Sequence, residues 1–418
     1  MMSAPAQKAP PAPVRITARR LARPARSSNT SPRRFHIASV MAFFWSGRSS
    51  VTTATAGSAS SRRTGTSSSV MAGRPLRPWI CPDLMAGSPR PRQPRRPPAA
   101  RREEAPPMWS NPRTPYAMST ERAPLAPPDG RPLIVNVAIN VERWPFDAPM
   151  PRGILPPPHG KPADPPDVPN FAWVEYGMRA GMPRLLRMLG ERGIRASALM
   201  NAGVAETHPS LMEAMLKAEW EMVGHGWIQR SLKAEADARA TVERTLGKLR
   251  EISGQAVRAW LGPGLGETPD TPEILRENGV LFLHDWYLED LPVWMRTRAG
   301  PILAMPYAFA LNDVPMYVIE HAPSREWLER VQATVAVFEK EIAAGLGPRV
   351  MTLALHPHVI GVPHVAHWFE RTLDLLTARD DVIFMTSSEI GDWFVEADGT
   401  HGAAVDAFRD AAPAGSGG

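Results

Sequence analysis

From Leu133 onward the chain alternates short apolar runs with longer amphipathic ones, and a polar residue stands directly behind most of the apolar runs. Runs that apolar must be covered on both faces, and each needs a crossover segment to reach the next, so the pattern is that of parallel strands linked by helices. Residues 133–139, 195–200, 221–224, 257–261, 280–284, 350–355 and 382–385 read as strands. Apolar residues at helical spacing predict helices over 176–192, with Leu185, Leu186 and Leu189 on one face, and after Pro209, with Leu211, Met212, Met215 and Leu216 inward. Further helices are expected over 236–253, behind Ser324 as a cap, and over 364–378. Seven or so parallel strands suit an α/β fold closed into a distorted (β/α)7 barrel better than an open sheet.

The flanks differ in composition. Residues 1–117 hold 20 Lys and Arg against three acidic residues, whereas the remainder holds 28 against 39. The basic overall balance therefore belongs to the first segment alone, and the barrel is expected to bind no nucleic acid. Residues 1–117 are Arg-, Pro- and Ser-rich without periodicity and read as a disordered extension, or as sequence ahead of a true start at Met118. The barrel is expected over 118–395 and a frayed tail over 396–418. Cys81 is the single cysteine, which excludes an intrachain disulfide and a cysteine-built zinc site. No apolar run reaches the length of a membrane span, and residues 37–45 make a poor signal-peptide core, so a cytoplasmic location is expected. Assembly into a homo-oligomer is left open.

In βα-barrels the chemistry gathers at the carboxyl ends of the strands. Here those ends carry Asn140 and Glu142, then His225, then Pro263 after Trp260, then Asp285, then His356 and His358. Glu142, His225, Asp285 and His356 converging at one barrel mouth would supply carboxylates and imidazoles for acid and base work or for metal binding. Each has a plainer explanation as well: a hydrogen-bonded structural histidine, a solvated loop glutamate, a capping aspartate. His358 is expected to orient His356 or to bond backbone. The tryptophans near strand ends, Trp144, Trp173, Trp227, Trp260 and Trp286, either line a pocket or pack in the core. The Pro-rich loop over 149–169 has a length that marks either a functional or a disordered segment.

Several separated motifs carry a resemblance. Gly224-His225-Gly226, Trp260-Leu261-Gly262-Pro263-Gly264-Leu265, Asp285-Trp286 with Asp290-Leu291-Pro292, Leu311-Asn312-Asp313-Val314-Pro315 and Leu355-His356-Pro357-His358 stand in the order found in the NodB-homology polysaccharide deacetylases. With Pro169 to Trp173 and Glu175-Tyr176-Gly177, the chain resembles most the branch that includes a metal-independent bacterial allantoinase. The resemblance implies a distorted (β/α)7 barrel that hydrolyses an amide or ureide bond of a small molecule or an N-acetyl sugar.

Three departures qualify what carries over. Asn140-Val141-Glu142 stands where the metal-dependent members place two aspartates, Gln229 stands where they place a second histidine, and Leu261 stands for their arginine. No cofactor is therefore expected beyond a weakly bound divalent metal such as zinc, held by His225 with Glu142. The resemblance assigns His356 as the acid; Glu142 or Asp285 is expected as the base, and His225 is expected to hydrogen-bond the oxyanion or to support a weakly bound metal. Substrate contacts are expected from Glu175, Tyr176, Trp227, Trp260, Pro263 and His358.

Overall fold

The first strand fixes the architecture. β1 (Leu133–Val141) is buried along its whole length, and its two faces go to different cores. Leu133, Val135, Val137, Ile139 and Val141 pack with the helices, whereas Ile134 and Ala138 pack inside the curl of the sheet. Even-numbered positions of β1 therefore face the interior, as the two-residue period of a strand requires.

The structure, a computed structural model, describes residues 109–403. After β1 come α1 (Val168–Tyr176), a π-turn over Gly177–Gly181, α2 (Met182–Gly190) and β2 (Ser197–Met200). α3 (Val204–Thr207), α4 (Pro209–Lys217), β3 (Glu221–Gly224), α5 (Ala238–Ser253) and β4 (Ala259–Trp260) follow. Then come α6 (Thr271–Glu277), β5 (Phe282–Leu283), β6 (Val293–Met295) and β7 (Ile302–Ala304). The chain continues through α7 (Glu326–Ala343), β8 (Arg349–Leu355), α8 (Pro363–Thr377), β9 (Val382–Phe384) and α9 (Ser387–Asp398).

The strands form one sheet in the order β6-β7-β5-β4-β3-β2-β1-β8, with β9 also paired to β1. Every pairing is parallel except β6 with β7. The sheet curls so far that the free edge of β8 meets the segment after β7: Thr352 Oγ1 donates to the Pro306 carbonyl at 2.6 Å, and Asn312 bridges to Ala354. This is the distorted (β/α) barrel that the sequence predicts. β6 and β7 were not foreseen. The helix expected from residue 176 begins at Val168, inside the predicted loop, and Ser324 lies ahead of the first turn of α7 without capping it.

Two predicted boundaries need correction. Arg113 lies within the expected extension, yet it is buried, donates to Glu273 Oε1 at 3.0 Å and to the carbonyls of Pro269 and Arg296, and so belongs to the barrel. α9 likewise runs past residue 395, and Asp398 accepts from Trp294 Nε1 at 2.9 Å. A local polar exchange, invisible to composition, holds each end. The remainder of the expected extension and tail lies outside the described residues. No helix among the described residues is long and apolar enough to cross a membrane.

Candidate active site

Strand parity and register bring the site together. Position 142 continues the inward face of β1; Val350 and Ala354 put position 356 on the inward face of β8; Val223 does the same for position 225 after β3. Ile139 pairs with Leu355, Val141 with Met200 and Met200 with Gly224, so Glu142, His225 and His356 emerge at nearly one level at the carboxyl end of the sheet. Asn201, just past β2, ties two of these ends: its Oδ1 accepts from the Arg143 N–H at 2.8 Å and its Nδ2 donates to the His225 carbonyl.

All three side chains are buried. Glu142 Oε2 accepts from Trp144 Nε1 at 2.7 Å, which fixes the carboxylate. Its Oε1 has no hydrogen-bond partner among the described residues. His356 Nε2 stands 3.5 Å from that oxygen, His225 Nε2 3.7 Å and an Arg152 guanidinium nitrogen 4.0 Å. These separations exceed ordinary hydrogen-bond lengths, so Oε1 keeps its lone pairs for an incoming proton. Burial works to raise the Glu142 pKa, but His225, His356 and Arg152 together hold it well below the usual carboxylate range.

His356 is oriented from behind. Its Nδ1 donates to Asp313 Oδ1 at 2.7 Å, and Asp313 Oδ2 accepts from the backbone N–H groups of His356 at 2.7 Å and Ile360 at 3.2 Å. Burial would discharge this imidazole, yet the Asp313 carboxylate, with Glu142, pushes its pKa up to about 9. At neutral pH the pair thus consists of an ionised carboxylate and an imidazolium, a base beside an acid. The orienting role expected of His358 falls to Asp313. His358 packs edge-on to His356 with ring centroids 5.7 Å apart, and burial, then the His356 charge, pulls its pKa down to about 3.

His225 Nδ1 lies 2.7 Å from the Leu261 carbonyl. A carbonyl only accepts, so Nδ1 carries the proton and Nε2 has one only in the imidazolium form.

Asp285 is not brought to this group. It follows the parity of Leu283, on the helix-facing side, where its Oδ2 accepts from the Gly262 N–H at 2.8 Å. Burial and the neighbouring Glu267 push its pKa up to about 8. Trp260 is a correction for the same reason: Ala259 and Leu261 face the interior, so Trp260 points into the helix layer, fully buried. Pro263 is buried against Gly226. One face of Trp227 is covered by the Arg244 guanidinium, 3.4 Å from the ring centroid. Glu175 is engaged with His208 and Arg179, and the Tyr176 hydroxyl accepts from Arg184.

A tightly held zinc takes three or four nitrogen, oxygen or sulfur ligands from the protein. His356 is committed to Asp313 and to the charge on Glu142, which leaves His225 and Glu142 as a pair. The residue four beyond His225 is Gln229, whose buried Oε1 lacks a partner among the described residues but offers only a neutral amide oxygen. Among the described residues no group of three or more His, Cys, Asp or Glu is arranged to hold a metal ion. The donors do not fit a tightly bound transition metal.

Sequence reasoning missed Asp313, Arg152 and Asn201. Asp313 stood within a motif already singled out, but its role depends on a contact across 43 residues. Arg152 sits in a Pro-rich loop without periodicity, where no sequence signal marks a site residue.

A mixed α/β barrel carrying a carboxylate and imidazoles at its carboxyl rim is the class of protein that this geometry defines. The polysaccharide deacetylase family model matches residues 172–283 of the chain. That match spans His225 but not Glu142, Asp313 or His356. A Schizosaccharomyces pombe protein provisionally described as a polysaccharide deacetylase is 21% identical over 234 residues, covering 52% of this chain and 73% of the relative. Two crystal structures share the fold at 22% identity. One, provisionally described as a polysaccharide deacetylase from Pseudomonas aeruginosa PAO1, has a TM-score of 0.56 over 64% of this chain and 92% of its own. The other, Puue allantoinase, has a TM-score of 0.57 over 66% of this chain and 94% of its own.

Proposed function

We propose that the chain is a hydrolase of non-peptide carbon–nitrogen bonds, acting on the amide or ureide of a small molecule without a tightly bound metal. The pairing of Glu142 with His356 carries this reading: an ionised carboxylate with an oxygen unpartnered among the described residues, 3.5 Å from an imidazolium held by a buried aspartate. Water attacks the carbonyl carbon and loses its proton to Glu142 Oε1. The carbon–nitrogen bond then breaks as His356 Nε2 gives its proton to the departing nitrogen. The names of the relatives, a deacetylase and an allantoinase, support the bond class and leave N-acetyl sugars and ureides as the two substrate classes to try. A cytoplasmic setting belongs to the same proposal, supported by the single cysteine in 418 residues.

The test is hydrolysis of allantoin, hydantoins and N-acetyl sugars by the wild-type chain and three variants. Glu142→Gln and His356→Ala should each lower turnover by about 10²- to 10⁴-fold, the usual contribution of one positioned acid or base. Asp285→Asn should leave turnover within a few-fold. Undiminished turnover in His356→Ala, or a larger loss in Asp285→Asn than in Glu142→Gln, would overturn the assignment.

A further inference from the structure

Arg152 is held at the site by a loop whose backbone is fastened on both sides of it. Met150 is buried and donates its N–H to the Pro162 carbonyl at 2.8 Å. Ile154 and Leu155 both donate their N–H groups to Asn170 Oδ1 at 2.8 Å, and Asn170 Nδ2 is in turn held by Asp167 at 2.7 Å. Between these fastenings the Arg152 guanidinium has a single polar partner among the described residues, Glu142 Oε1 at 4.0 Å. That is a charge contact without a hydrogen bond, so its fork of five N–H donors is uncommitted. Its side chain is 31% exposed where that of Glu142 is 2% exposed, so Arg152 reaches from the buried carboxylate toward solvent. Its charge is felt by Glu142, His358 and Tyr307 alike.

Attack on an amide carbonyl builds negative charge on its oxygen, and that oxygen needs a donor placed in advance. His225 offers none in its neutral form, because its one proton is given to Leu261. Asn140 Nδ2 is committed to the Tyr307 hydroxyl and the Leu355 carbonyl. Resting on the hydrolase reading above, we propose that Arg152 is a further catalytic residue, donating to the carbonyl oxygen of the scissile amide or ureide and stabilising the oxyanion. The water oxygen bonds to the carbonyl carbon, its proton passes to Glu142, and the carbonyl π-pair moves onto the oxygen held by Arg152. Collapse restores the carbonyl, breaks the carbon–nitrogen bond and delivers the His356 proton to the nitrogen.

Arg152→Ala should lower kcat by about 10²- to 10³-fold with KM little changed, as for loss of one oxyanion donor. Arg152→Lys should recover part of the loss, since the charge remains while the planar fork is gone, and added guanidinium should partly rescue Arg152→Ala. A raised KM at unchanged kcat would overturn the proposal, making Arg152 a ground-state anchor. Calorimetric binding of acetate gives a readout free of turnover, with circular dichroism confirming that each variant is folded. Acetate should bind Arg152→Ala about ten- to a hundredfold more weakly than wild type, the loss of a charge-assisted hydrogen bond. Equal binding, or none to the wild type, would overturn the proposal. If the wild type hydrolyses none of the substrates tried, the hydrolase reading falls, and the acetate experiment still decides whether Arg152 receives an anion.

Discussion

His356 can act as an acid at neutral pH only because Asp313, together with Glu142, outweighs its burial. The imidazole must be protonated to donate, so kcat/KM should hold through neutrality and fall as pH rises through about 9. Asp313→Asn removes the charge while leaving a side chain of similar size. Burial then acts unopposed by that charge, the imidazole pKa drops, and the alkaline limb should move to lower pH. A limb that stays near 9 in Asp313→Asn would show that Glu142 alone sustains the imidazolium. At this scale the sequence was legible for residues whose type announces chemistry, Glu142, His225 and His356, and illegible for residues defined by a partner. Trp260 and Asp285 were misplaced because a strand's parity decides which neighbour faces the interior, and two-residue strands leave little pattern from which to read it.

At the scale of elements, the His356 loop is positioned by the helix that packs on it. A Cβ at Gly177 would stand 2.4 Å from the His358 nitrogen, and one at Gly181 would stand 2.2 Å from the Pro357 carbonyl oxygen. The π-turn over Gly177–Gly181 thus brings helical backbone against the segment following β8, a contact open only to residues without a side chain. Gly177→Ala should displace the His358 backbone, lowering the melting temperature and turnover together. A variant with wild-type melting and turnover would show that the loop yields at no cost. The helix was legible from its leucine spacing, but the π-turn was not, because its cause lies in the partner loop rather than in the helix's own periodicity. The loop over 149–169 was singled out by its length, and the anchors Asp167 and Asn170 sit at its far end, within or beside the first turn of α1.

Over the whole molecule, the alternation of strands and helices announced the barrel, whereas its limits depended on single contacts. Arg113 pairs with Glu273 with both side chains nearly buried. A chain begun at Met118 would leave Glu273 without its cation, and removal of one partner from a buried ion pair costs about 3–5 kcal/mol. Such a chain should therefore melt below one begun at Trp109, as thermal denaturation would show; equal melting would show that Arg113 adds nothing to the barrel. The site lies elsewhere, among strand ends that meet only when the sheet curls, so its central claim concerns what those ends hold together. Metal content of the full chain by elemental analysis, paired with hydrolysis before and after exhaustive chelation, tests that claim most directly. The account predicts substoichiometric metal and unchanged turnover after chelation; stoichiometric zinc with activity lost to the chelator and restored by zinc would contradict it.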